Sequence, residues 1–176
     1  ILTGGAFADM AGRVAASHGA QVVRVEDIET PDSVPRPLLG EAGRGAEPCV
    51  VGYTSGTTGH PKGVMHSHVI IRNVVDRINR FGITFSDSII NNLPMFHLYG
   101  YSESAMLAIL SGARQILMES FDAAETLRLV EAEGATIIHG FDTHYKDMLD
   151  CQARDKRDLS SLRFGTFPSG MQNSVP

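Results

Sequence analysis

Residues 53 to 64 read Tyr53-Thr54-Ser55-Gly56-Thr57-Thr58-Gly59-His60-Pro61-Lys62-Gly63-Val64, which sets three glycines, four Ser or Thr hydroxyls and one lysine behind an apolar run. That combination suits the holding of phosphate. Glycines let the main chain turn tightly enough to aim several N–H groups at one anion, the hydroxyls add donors, and the lysine supplies a point charge. A nucleoside triphosphate is the first substrate to expect.

Spacing sorts the glycine-rich alternatives. The pattern G-x-x-x-x-G-K-[ST] is not met, because His60 and Pro61 stand between Gly59 and Lys62 and a glycine follows the lysine. The dinucleotide spacing G-x-G-x-x-G is missing as well. A flexible surface loop would explain the glycines and serine but not the ordered T-S-G-T-T-G-x-P-K-G. A second run follows at Asn92-Leu93-Pro94-Met95-Phe96-His97-Leu98-Tyr99-Gly100. Taken alone, Phe96 and Tyr99 read as ordinary core aromatics and His97 as a buried, hydrogen-bonded histidine.

Together the two runs resemble the signature motifs of the adenylate-forming enzymes, the superfamily of acyl-CoA synthetases, luciferases and peptide-synthetase adenylation domains. The resemblance implies that Thr54, Ser55, Gly56, Thr57, Thr58, Gly59 and Lys62 grip the β- and γ-phosphates of ATP, with Lys62 and Thr58 as the catalytic members. A carboxylate then attacks the α-phosphorus, giving an acyl-adenylate and pyrophosphate. Such chemistry asks the protein for positioning and charge stabilisation more than for covalent help. Phe96, His97, Tyr99 and Gly100 are implied to line the carboxylate site, with His97 beside the route of the incoming thiol. The L-P-M-F-H form of this run is most like an acyl-CoA synthetase, which implies CoA as thiol acceptor and magnesium as companion to ATP.

A third, partial resemblance covers Leu162-Arg163-Phe164-Gly165-Thr166 and the residues to Met171, where relatives carry L-R-x-G followed by an adenine-packing stretch. It implies adenine contacts at Ser169 and Gly170, although Phe167-Pro168-Ser169-Gly170-Met171 departs from the G-G-A-P and A-G-S-P forms. The alternatives are a noncatalytic nucleotide-binding or regulatory module, which would keep the loop without the chemistry, and a luciferase-like or peptide-synthetase enzyme with the same motifs. The acyl group is not readable: Phe96, Tyr99, Met106 and Phe141 suit an aryl or an aliphatic, fatty-acid-like pocket equally.

These residues need elements to carry them, and the periodicity predicts an α/β fold. A strand ending near Thr3, a helix from about Ala6 to His18 and a strand at Gln21–Val25 form a β-α-β unit. Residues 29–48, with Pro31, Pro35, Pro37 and Pro48, predict a long internal loop. Cys49–Tyr53 should deliver the phosphate loop and Gly63–His66 should lead away from it. A helix from Ser67 stops at Gly82, with Val69, Ile70, Val74, Ile78 and Phe81 on its apolar face. Further strands are expected at 88–92, 113–118, 135–139 and 162–167. Helices are expected at 100–110, 122–133, capped by Asp122, and 143–153. Strands alternating with helices predict a mostly parallel sheet flanked by helices.

Composition bounds the rest. With 176 residues, 43% hydrophobic and 20% charged, the chain can bury one substantial core. Its net charge of −5 and scattered basic residues argue against nucleic acid as a partner. No apolar stretch approaches the ~20 residues that span a bilayer. Cys49 and Cys151 lack metal-ligand spacing, so neither a disulfide framework nor a metal site is expected, and a reducing cytoplasm is the default. His139, His144 and Asp142 could in principle approach a metal, but packing roles are preferred. The superfamily's later magnesium, ribose and lid motifs are not found. The chain is therefore expected to be a single incomplete unit over 1–176, a piece of the large N-terminal domain with little activity alone. Uncovered apolar surface should then favour self-association.

Overall fold

The computed structural model describes residues 2–3, 5–27, 45–54 and 60–168. Its internal contacts divide the chain into two units, 1–42 and 43–176.

In the first unit, β1 (Leu2–Thr3) pairs in parallel with β2 (Val23–Arg24), and α1 (Ala8–His18) lies between them in sequence. The β-α-β unit is present, but β2 is shorter than its apolar pattern predicts. The chain instead turns through a 3₁₀ segment at Val25–Asp27. There Glu26 accepts the Gly5 N–H at 2.7 Å and Arg24 clasps Asp27. Helix α1 buries only Ala11 and Ala15, one turn apart.

The second unit opens with an antiparallel hairpin of β3 (Pro48–Thr54) and β4 (Lys62–Ser67). The proline-rich stretch 29–48 falls mostly outside the described residues, and its last residue, Pro48, already belongs to β3. The two strands form a sheet of their own. Their short connection is long enough for a hairpin but not for a parallel crossover.

The remaining elements are α2 (Val69–Phe81), β5 (Ser88–Asn91), α3 (Leu98–Gly100), α4 (Leu107–Ser111), β6 (Arg114–Leu117), α5 (Ala123–Glu133), β7 (Ile137–His139), α6 (Asp142–Arg154) and β8 (Phe164–Thr166). Between α3 and α4 the helix expected over 100–110 widens into π-helical geometry at Tyr101–Met106. Helix α2 starts at Val69 rather than Ser67, because Ser67 still pairs with Pro48. It ends at Gly82, whose φ of +60° is the left-handed cap that glycine adopts at little cost. Asp122 caps α5 by accepting the Glu125 N–H at 2.7 Å.

Strands β6-β5-β7-β8 form one parallel sheet in that spatial order. Pairing of Ile89 with Ile137 and of Ile90 with Ile138 assigns alternate residues to opposite faces. Ile89 and Ile137 pack with Val74 of α2 and Leu107 of α4. Ile90 and Ile138 pack with Leu127 and Val130 of α5 and Met148 of α6. The expected parallel sheet flanked by helices is therefore present, covered on both faces. β5 is buried along its whole length, as a central strand covered on both sides must be.

Candidate active site

The connections leaving β5 and β7 depart toward opposite faces of the sheet, through α3–α4 and through α6. Where neighbouring parallel strands do this, a crevice opens at their carboxyl ends, the usual ligand position in such sheets. Two of the three sequence runs lie at this edge: Asn92–Gly100 follows β5, and Phe167 and Pro168 follow β8.

The phosphate-loop run lies on the hairpin. Register places Thr54, the last residue of β3, opposite Lys62, the first of β4, and both are exposed. The hydroxyl and the ammonium therefore stand at the neck of the glycine-rich connection. Gly63 lets the strands close there, since a Cβ would meet Val51 Cγ1 at 3.0 Å. Ser55, Gly56, Thr57, Thr58 and Gly59 lie outside the described residues, as do Ser169 and Gly170.

After β5, the Asn91 side chain accepts the Leu93 N–H at 3.2 Å and turns the chain. Asn92 is buried, with neither amide atom hydrogen-bonded among the described residues. His97 caps α3, its Nδ1 accepting the Tyr99 N–H at 3.1 Å. A ring nitrogen that accepts carries no proton, so the neutral ring holds its proton on Nε2, which is left as a donor. Phe96 is 92% exposed and shares no enclosed surface with its neighbours in the motif. Gly100 is buried under the turn before it. A Cβ there would lie 2.8 Å from the Pro94 carbonyl carbon and 3.1 Å from the Leu93 oxygen, so this position requires glycine for close backbone approach.

Tyr99 links the strand ends. Its hydroxyl lies 2.7 Å from the Thr166 carbonyl and 3.2 Å from the Gly140 carbonyl, at the ends of β8 and β7. Burial, helped by the negative charge of Glu103, raises its pKa. Beside Thr166, His139 Nδ1 contacts the threonine hydroxyl at 2.8 Å, while its Nε2 has no partner among the described residues. Burial first, and then the positive charge of Arg77, push His139 down to about 4. It is therefore neutral at physiological pH. His144 stacks on Phe121 at 4.0 Å instead of joining His139. Among the described residues, no group of three His, Cys, Asp or Glu side chains is gathered to hold a metal.

Three further residues were not singled out by sequence motifs. Arg77 and Glu103 form an ion pair at 2.9 Å, and Ser102 donates to the same carboxylate at 3.0 Å. The signal was present but ambiguous. Arg77 falls within the apolar stripe of α2 between Val74 and Ile78, and Glu103 interrupts a run of apolar and small residues. Only the fold shows that these two interruptions meet. Next to them, a cavity of about 380 Å³ is walled by the end of β4, by α2, and by Leu98 and Ser102.

Gly165, the glycine of the third run, has a packing reason. A Cβ there would strike the Ile138 carbonyl and lie 2.5 Å from the Tyr145 hydroxyl, which itself donates to that carbonyl at 2.8 Å.

Comparison with known proteins adds to this geometry. The family model described as AMP-binding enzyme matches residues 9–174. The chain is 36% identical over 128 residues to 4-coumarate–CoA ligase 5 of Oryza sativa subsp. japonica, covering 68% of this chain and 24% of that protein. It is 34% identical over 140 residues to the indoleacetate–CoA ligase of Aromatoleum aromaticum, covering 78% and 27%. The crystal structure of ATP-bound MatB from Rhodopseudomonas palustris shares the fold, with a TM-score of 0.73 at 23% identity over 96% of this chain and 34% of that one. The chain thus spans about a quarter of the length of the curated relatives it matches.

Proposed function

We propose, from the premise that this chain belongs to the AMP-binding enzyme family, that it carries the ATP- and acid-binding part of an acid–thiol ligase. The reaction converts a carboxylic acid and ATP to an acyl-adenylate and pyrophosphate, and the CoA thiol then takes the acyl group and releases AMP. One observation carries the reading: strand register sets Thr54 against Lys62 at the neck of a loop made of Ser55, Gly56, Thr57, Thr58 and Gly59. A hydroxyl and an ammonium at the mouth of a glycine-rich loop suit a polyphosphate.

In this reading Lys62 and Thr58 stabilise the departing pyrophosphate, and Ser169 and Gly170 meet the adenine. His97 offers its Nε2–H to the acyl-transfer region, with Phe96, Tyr99 and Gly100 shaping its surroundings. Magnesium accompanies the triphosphate as a substrate complex. The two ligases named above support CoA as the acceptor. Two unpaired thiols, Cys49 and Cys151, suit a reducing compartment such as the cytoplasm. Among the described residues no helix is long and apolar enough to cross a membrane.

Calorimetric titration of the chain with Mg-ATP tests the reading at its first step. Saturable binding that weakens about tenfold or more in Lys62→Ala, the loss of one charge-assisted contact, is expected. Absence of binding would remove the nucleotide role.

A further inference from the structure

We propose that the cavity beside Arg77 receives the distal part of the carboxylic acid and selects acids whose tail bears a neutral hydrogen-bonding oxygen, a hydroxyl or keto group, over saturated alkyl acids. The inference rests on the functional reading above and adds the substrate class.

The cavity's position follows from β4. Lys62 and His66 are four residues apart and share a strand face, roughly 13 Å apart at the usual rise. His66 lines the cavity together with Asn73 and Arg77 of α2 and Ser102 of the π-helical turn. Leu98, also a wall residue, lies between His97 and Tyr99 in sequence. The space thus connects the strand that begins at the phosphate lysine with the segment assigned to the carboxylate. Its volume of about 380 Å³ falls within the range of small-molecule pockets.

Its wall chemistry sets the preference. Ile70 and Leu98 supply apolar surface for a methylene stem. Met65 and Val69 add to that apolar surface, and the rest of the wall is polar: His66, Ser67, Asn73, Arg77 and Ser102. The Nη2 of Arg77 is held by Glu103 at 2.9 Å, and its buried Nε has no hydrogen-bond partner among the described residues. The Asn73 amide and the His66 ring bring further hydrogen-bonding groups to the same wall. A saturated tail would displace water from these donors and replace none of its hydrogen bonds. A tail oxygen replaces one of them, and a site built for a hydroxyl discriminates strongly against the analogue that lacks it. A second carboxylate is not the expected feature, because Glu103 already neutralises Arg77 and Ser102 already serves Glu103.

The test titrates the 176-residue chain with hexanoate and with 6-hydroxyhexanoate by calorimetry. The hydroxy acid should bind at least about tenfold more tightly, the scale of one hydrogen bond in a partly enclosed site. The ratio should fall toward one in Arg77→Met and in Asn73→Ala. Asn73 is on the exposed side of α2, so its variant keeps the test decisive if loss of Arg77 unfolds the protein. Equal affinities, tighter hexanoate, or binding of neither acid would overturn the inference. A parallel Mg-ATP titration keeps the two readings apart. ATP binding without acid preference would overturn only the pocket assignment, and acid preference without ATP binding would overturn only the nucleotide role.

Discussion

The Tyr99 hydroxyl sits 2.7 Å from the main-chain carbonyl of Thr166, joining the segment after β5 to the end of β8 across 67 residues of sequence. This contact ties the proposed acid-binding motif to the strand that leads toward the proposed adenine contacts, Ser169 and Gly170. Tyr99→Phe keeps the ring and removes the tie. Because the Thr166 carbonyl also receives the Gly140 N–H at 3.1 Å, no orphaned acceptor is left at that carbonyl. The stability cost should be about 1 kcal/mol, read as a lower urea midpoint at unchanged m-value. If Tyr99 positions the end of β8 for the nucleotide, ATP affinity should fall as well; a variant with altered stability and wild-type ATP affinity would limit the residue to a structural role.

Gly165 predicts a sharper loss. Its missing Cβ makes room for the Ile138 carbonyl and the Tyr145 hydroxyl, both inside the sheet-to-α6 contact. Gly165→Ala must separate β7 from β8 or displace Tyr145, and should cost on the order of 2–3 kcal/mol. Adding Tyr145→Phe to Gly165→Ala should recover part of that loss by removing one of the two obstructing groups. Thermal melts of the single and double variants check this, and additive losses would exclude the clash as the cause.

Burial of neutral His139 gives stability a pH dependence with a defined sign. Its folded pKa of about 4 lies below the ordinary value of 6.5, chiefly through burial and secondarily through Arg77. The unfolded chain therefore takes up a proton at higher pH than the folded chain does. This group's contribution is complete above about pH 6.5 and is lost progressively as the pH falls toward 4, with a limiting slope of about 1.4 kcal/mol per pH unit. Urea denaturation between pH 7 and 4 should show that slope, and His139→Gln should remove most of it. An unchanged slope in the variant would mean that another group controls it.

Exposed apolar side chains predict self-association of the 176 residues. Phe85 is 80% exposed, Ile109 72% and Met65 70%. Such residues on one molecule favour concentration-dependent contacts. Sedimentation velocity over a hundredfold concentration range should show a rising sedimentation coefficient, and a monomer throughout would refute the prediction.

Short-range interactions made much of this molecule legible from the sequence. The helix ends at Gly82 and Asp122 follow from one glycine's freedom at positive φ and one carboxylate's reach to a nearby N–H. The short, fully buried runs at Ser88–Asn91 and Ile137–His139 likewise follow from which side chains seek burial. The glycine-rich run at 53–64 and the Leu93–Gly100 run were visible because each is a contiguous motif. The π-helical turn at Tyr101–Met106 was not, since helical spacing does not reveal a widened turn. Nor could local pattern show that Arg77 would meet Glu103, that Tyr99 would reach Thr166, or that Gly165 would yield its Cβ volume to Tyr145. These relations depend on the spatial order β6-β5-β7-β8 and on which helix covers which face. The sequence by itself determined most of the elements and the family, because periodicity, caps and contiguous motifs are local. Only the tertiary structure decided the polar wall beside Arg77 and the joined strand ends, because burial selects among many long-range pairings of the same local pieces.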